Sequence, residues 1–442
     1  MAQEGSLEAP TRHVIDWRSE SYYDEAALEA EMTRVFDICH GCRRCFNLCD
    51  AFPQLFDMID ESDTFEVDGL DPKTDYKKVA DACTLCDMCF MTKCPYVPPH
   101  EFDLDFPHMI LRQRAIEHRK GKTGRVVREL AKTDRNGKAL KPVAPLANAL
   151  ASRKDVIGRK ALEAVAGVAA DAELPKYHAR TLLNRAEQSD RAPERETKRK
   201  AVVYATCYAN YNEPHAGEAA LAVLAKLGVE TEVIHPACCG MPFLEHGDIP
   251  QVAQQAEKVA DAFAPYIADG YDVIALTASC GLMLKFEWPL IAPGNEAVKT
   301  LSAATRDICQ YVVEIAKDEG LPDGLSPVEG GVAVHMACHA RAQNMGPKAA
   351  EMLRLIPNTK VDVIERCSGH GGTFGVMKDT RPLAVKVARP AVRAIDNAGA
   401  ARMCSDCPLA CKHLAQVIED SGKSAPSHAH PIEIFAEAYG LV

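Results

Sequence analysis

Eight of the chain's 18 cysteines stand in two short runs, CHGCRRCFNLCD (39–50) and CTLCDMCFMTKCP (83–95). No other feature limits the possible folds so strongly. A chain of 442 residues buries an ordinary core without staples, so this many thiols is not a device for stability. The first residues are acidic and polar, without the apolar centre of a secretory signal, which predicts a cytoplasmic protein. In a reducing compartment, thiols at short regular spacings read as metal ligands rather than as disulfides. The longest nearly apolar stretch, Val273 to Leu284, is interrupted by Thr277, Ser279 and Gly281 and falls short of the ~20 residues of a spanning helix. Membrane contact is therefore expected only at the periphery of the inner face or through a partner.

The first run, with Cys39, Cys42, Cys45 and Cys49, is C-x2-C-x2-C-x3-C, the bacterial ferredoxin pattern. In it three thiolates hold one [4Fe–4S] cube and the fourth reaches a second. The second run supplies the partner: Cys83, Cys86 and Cys89, then Cys94 followed by Pro95. The expected wiring is Cys39, Cys42, Cys45 and Cys94 on one cluster, and Cys83, Cys86, Cys89 and Cys49 on the other. Four residues rather than three separate Cys89 from Cys94, so a local adjustment is required there. Zinc also takes four thiolates, but commonly as two CxxC pairs across a longer loop. A non-redox zinc scaffold is thus the least favoured reading.

Composition divides the rest of the chain. Residues 1–23 read as a flexible or draped tail, and Asp24 is placed to cap a helix over EAALEAEMTRVF. Residues 24–110 are expected to form the helical twin-cluster domain, with 111–200 a basic helical connector. From Arg112 to Lys200 there are about 23 Lys and Arg against about 11 Asp and Glu, most simply a solvated helical face. Only Tyr177 interrupts these charges as an aromatic, so a nucleic-acid partner is not expected. Residues 201–325 and 326–442 repeat one another. AVVYATCYANY (201–211) matches GVAVHMACHAR (331–341), each a β-branched strand ending in a cysteine and then a helix. A second strand follows in each half, before HPACCGMPF (235–243) and before RCSGHGGTFG (366–375), and then a third, YDVIALTASCGLM (271–283) and ARMCSDCPLACKHL (401–414). The fold expected is α+β at the N-terminus and two α/β lobes with parallel sheets, their cysteines at the carboxyl ends of strands, where sites collect.

The lobes offer Cys207, Cys238, Cys239 and Cys280 in the first and Cys338, Cys367, Cys404 and Cys407 in the second. Cys309 lies outside the repeat and reads as core; Cys411 reads either as a spare ligand or as a helix residue. This arrangement resembles the CCG domains found in heterodisulfide reductases and in the anaerobic glycerol-3-phosphate dehydrogenase complex. Segments such as CYANYNEP, CHARAQNMG and SDCPLA carry the likeness to the latter. The resemblance implies an iron–sulfur electron-transfer subunit. Its partner would be a flavoprotein dehydrogenase and its acceptor one such as quinone, with two ferredoxin-type clusters and up to two more in the lobes. It also offers an alternative, reduction of disulfides at a five-thiolate cluster. Against that, Met283 stands where the first lobe's CxxC would end, and Ser368 where the second lobe's Cys-Cys pair would. No flavin or nicotinamide fingerprint is present, so neither cofactor is expected in this chain. GHGGTFG (369–375) reads as a tight turn beside a cluster, and His335, His339 and His370 either as polar residues filling strand ends or, less favoured, as groups that ligate iron or hydrogen-bond a cluster sulfur.

Overall fold

The runs AVVY and VAVH are apolar on both faces, which suits central strands of parallel sheets. The computed structural model describes residues 10–153, 155–189, 192–195 and 197–442. In it these runs lie in β1 (Lys200–Tyr204) and β5 (Val332–His335), each at the centre of a four-stranded sheet. The first sheet adds β2 (Glu230–Ile234), β3 (Asp272–Ala275) and β4 (Thr305–Asp307) in the order β2-β1-β3-β4. The second adds β6 (Val361–Ile364), β7 (Arg402–Ser405) and β8 (Ser427–Ala429) in the order β6-β5-β7-β8. All pairings are parallel. The sequence suggests three strands in each half; the fourth in each is only three residues long.

The ladders put the two halves in register. Tyr204 lies opposite Ala275, and His335 opposite Ser405. Tyr204 and His335 each precede their cysteine, Cys207 or Cys338, by three positions. Counting from those pairs, Cys404 corresponds to Ile274 and Cys407 to Thr277.

Four helices form most of the N-terminal part: α1 (Glu25–Cys42), α2 (Ala51–Asp60), α3 (Asp75–Ala82) and α4 (Phe106–Arg119). Asp24 caps α1 by accepting from the amides of Ala26 and Ala27. α4 runs through the boundary expected between residues 110 and 111. Short helices follow, among them Arg125–Leu130, Thr133–Leu140 and Val156–Ala166. Of the expected tail, residues 1–9 lie outside the described residues. Residues 10–23 are fastened down: the Ile15 amide bonds the Leu290 carbonyl and the Trp17 indole bonds that of Ile291. Arg12, buried, reaches Asp87, Asp105 and Glu287 at once.

The core of the N-terminal helices is continuous with that of the first lobe. Phe36, Phe52 and Phe56 belong to the same buried cluster as Val252, Phe263, Trp288 and Leu301 of the first lobe. A second core joins the lobes through Val203, Ile274, Val334 and Phe435. A third lies beneath the second sheet, around Ala388, Met403 and Leu414. This packing turns the carboxyl ends of both sheets toward each other and toward α3. No described helix is long and apolar enough to cross a membrane.

Candidate metal centres

α1 delivers Cys39 and Cys42 in its last turn, and Arg43, in the left-handed region at φ 52°, swings the chain so that Cys45 returns toward them. Together with Cys94 they line one small cavity closed by Phe52, Phe56 and Tyr96. Burial and the neighbouring sulfurs of Cys94 and Cys42 push Cys45 up to about 12. The same causes, with Cys94 the nearest sulfur in effect, hold Cys39 well above the usual thiol range. Four crowded thiols of this kind are a poor set of acids and a good set of ligands, because only a cation in their midst makes the thiolate form favourable.

Cys49, Cys83, Cys86 and Cys89 form the adjoining group. Cys89 is raised by burial and then by the sulfurs of Cys86, Cys83 and Cys49, and Cys49 by burial, Cys86 and Cys83. The extra residue before Cys94 is absorbed by a π-helical turn, Cys89–Lys93, closed by the Cys94 amide on the Cys89 carbonyl at 2.8 Å. Widening one turn in this way lets the sequence keep its extra residue without moving either end.

The lobe cysteines meet in a cavity of about 200 Å³ between the two sheet ends. Cys207, Cys238, Cys239 and Cys280 line it from the first lobe, and Cys338, Cys367 and Cys407 from the second. The two sets, expected one in each lobe, face a common space. Cys207 and Cys238 are 3.7 Å apart, a hydrogen bond that lowers Cys238 and raises Cys207. Cys239 is raised by its contacts with Cys238 and Cys280. The adjacent pair is held by its surroundings. Asp134 accepts the Cys238 amide at 2.6 Å while pairing with His235, and the Trp288 indole donates to the Cys239 carbonyl. Gly240, at φ 85°, ends the turn.

Cys404 is the exception. It is fully buried in β7 and packs into the core between the lobes, not into the cavity. The CxxC spacing suggested that it works with Cys407, but side chains alternate along a strand, and the register equates it with core residue Ile274. Cys411 is buried in the core beneath the second sheet, and Cys309 lies in a closed cluster with Asp307 and Asp406. Met283 is buried in the first core, whereas Ser368 lines the cavity.

One local geometry recurs at three of these cysteines. The amides of Leu85, Gly240 and Gly369 each donate at 3.4 Å to the sulfur two residues earlier, Cys83, Cys238 and Cys367. All three donors have positive φ, at 49°, 85° and 72°. Such bonds favour thiolate over thiol and are one lever on cluster potential.

The groups also adjoin one another. Cys49 and Cys86 line the same cavity as Cys338 and Cys367, and the nearness of Cys86 raises Cys338. Cys89 feels Cys45, and Cys407 feels Cys280. The thiols thus form a file from Cys39 to Cys238. His335 is a satisfied core residue, bonded to Ser405 and the Arg366 carbonyl. His339 ties Ser279 to the Leu85 carbonyl across the lobes. His370 lines the cavity with Nε2 unpartnered, lowered to about 3 by burial and by His413. GHGGTFG is a tight turn with Gly369, Gly371 and Gly372 at positive φ. Glu245, not singled out from sequence, also lines the cavity and is pushed up to about 7 by burial. Its only sequence signal is that it closely follows CCGMPF.

Residues 201–285 and 332–413 match the family model described as a cysteine-rich CCG domain. Among curated proteins, a subunit of anaerobic glycerol-3-phosphate dehydrogenase from Escherichia coli (strain K12) is 28% identical over 314 residues, 70% of this chain and 76% of that protein. Lactate utilization protein A of Geobacillus sp. (strain WCH70) is 28% identical over 194 residues, 41% of this chain and 76% of its own length. Its namesake in Bacillus pumilus (strain SAFR-032) is 24% identical over 246 residues, 50% of this chain and 98% of the relative.

Proposed function

We propose, from the premise that this chain belongs with the iron–sulfur subunits built on twin CCG domains, that it relays electrons between a redox partner and an acceptor. The partner would be a flavoprotein dehydrogenase, and the acceptor one such as membrane quinone. The observation that carries this reading is that the cysteine groups adjoin: Cys49 and Cys86 of the second run line the same cavity as the lobe cysteines. Cys39, Cys42, Cys45 and Cys94 would hold one [4Fe–4S] cluster, and Cys49, Cys83, Cys86 and Cys89 a second. The cavity set, Cys207, Cys238, Cys239, Cys280, Cys338, Cys367 and Cys407, would hold one or more further iron–sulfur centres. Bound there, such clusters would supply one-electron transfer.

The work of the protein's own residues is to space these sites, keep water out and set the sulfur hydrogen bonds. Phe52, Phe56 and Tyr96 close off the first group. Leu85, Gly240 and Gly369 each aim an amide at a sulfur. The relatives are named as parts of glycerol-3-phosphate and lactate metabolism. The substrate of such a complex would belong to the partner chain, as fold does not fix function.

A second reading, reduction of a disulfide in the cavity, is favoured by one observation: Cys367 is exposed, so the cavity opens at that edge. Anaerobic purification, iron and sulfide analysis and EPR during reductive titration separate the possibilities. Iron clearly above about eight per chain, with a signal lost in Cys239→Ala and Cys367→Ala, is expected for the relay. About eight irons would leave the cavity out of the path. Turnover of small disulfides by the cluster-loaded chain would favour the second reading.

A further inference from the structure

Beyond the thiols, a second kind of donor set sits where α4 meets the first lobe. His118 closes the last turn of α4, and His246 and Asp248 follow the CCGMPF segment. One ligand atom from each lies within 4.8 Å of the others. The His118 and His246 rings are 5.3 Å apart, and His118 Nε2 is 3.5 Å from Asp248 Oδ2.

The fold builds this meeting at one glycine. Gly247 has φ +83°, and a Cβ there would fall 2.3 Å from the Arg114 carbonyl carbon. Only glycine lets the 245–248 turn lie against the backbone of α4, and that contact sets His246 and Asp248 over His118 one turn further along. Each donor is then oriented by another bond. His118 Nδ1 pairs with Thr123 Oγ1 at 3.1 Å, leaving Nε2 toward the cluster. Asp248 Oδ1 caps the helix Ile249–Ala268 through the Gln251 amide, leaving Oδ2 toward it. The Pro242 carbonyl approaches the His246 ring, yet Nδ1 is buried without a well-formed hydrogen bond.

We propose that His118, His246 and Asp248 bind a divalent transition-metal ion, zinc by its donor chemistry, at a site separate from the cysteine groups. Two imidazoles and one carboxylate with a position left open are a recognised zinc and iron(II) donor set. The open position faces a cleft of about 620 Å³ that also reaches Cys238. Arg125 and Arg128 on its wall suit water or a small anion as the fourth ligand. The donors are reached from a second cleft as well, beside Trp17 and Tyr23, which gives the ion a way in.

The test uses the full-length, cluster-loaded chain under anaerobic conditions, equilibrated with zinc chloride and freed of excess by gel filtration. Zinc and iron are counted per chain, and zinc-edge anomalous scattering locates the ion in crystals. The expectation is about one zinc per chain, lost in His246→Ala and in Asp248→Asn with iron unchanged. Asp248→Asn keeps a competent helix cap, so its loss of zinc reports ligation and not unfolding. Zinc retained undiminished by Asp248→Asn, or a wild type that holds no more zinc than the two variants, overturns the proposal. Because iron is counted in the same samples, failure here is distinct from failure of the electron-relay reading.

Discussion

Among single residues, the cavity cysteines divide into ligand candidates and core. Cys367→Ala is expected to lower iron content. Cys404→Ala should leave iron unchanged and lower stability by about 1 kcal/mol, as for loss of a small buried side chain. Iron analysis and thermal melts of the two variants check the distinction. Spacing alone could not place Cys404 in the core, because a CxxC reading takes no account of strand alternation, whereas local turns bring the cysteines of 39–49 and Cys94 together. Glu245 offers a pH test. Its folded-state value of about 7 lies above the ordinary 4.5, so the folded chain holds the proton more tightly than the unfolded chain. Its contribution is therefore lost as pH rises from about 4.5 to 7. Glu245→Gln should match the wild type below that window and exceed it above, by up to about 3 kcal/mol, in denaturant titrations at pH 4.5 and 8.

At the level of elements, the two halves repeat a strand, a cysteine turn and a glycine at positive φ, but their glycines are not equally constrained. A Cβ on Gly240 meets nothing nearer than Val252 at 3.5 Å, while one on Gly369 would stand 2.1 Å from the Ala384 carbonyl oxygen. Gly240→Ala is expected to cost about 1–2 kcal/mol, the penalty of a left-handed residue. Gly369→Ala should cost more than about 3 kcal/mol, because backbone must also move. Chemical denaturation of the pair measures the difference. The strands bearing these turns were legible from β-branched runs that ended in cysteine. β4 and β8 were not, since three residues such as Thr305-Arg306-Asp307 carry no period to read. The meeting of α4 with the 245–248 turn was equally hidden, as it joins positions more than a hundred residues apart.

The whole molecule is tied together by charge as well as by shared cores. Arg12 joins the N-terminal segment to Asp87 beside the second cysteine run, to Asp105 and to Glu287 of the first lobe. A sequence reading that saw only a polar leading segment had no means of finding this. Burial pushes Glu287 up, but His108 and Arg12 hold it down to about 2. Its contribution is thus present above about 4.5 and lost as pH falls through about 2. Arg12→Met is expected to cost about 3–5 kcal/mol at neutral pH, since it strands buried carboxylates. The gap to the wild type should narrow as pH falls below about 4.5, as followed by melting temperature between pH 2 and 7.

The core shared by the N-terminal helices and the first lobe has a consequence for how the chain is made. Residues 39–94 leave the ribosome long before Trp288 and Leu301, first-lobe residues that complete that core. At about 5–20 residues per second, the roughly 200 residues between take some 10–40 s. For that interval the helices that carry the eight thiols have only one another to pack against, through contacts such as Phe36 on Tyr76 and Phe52 on Phe106.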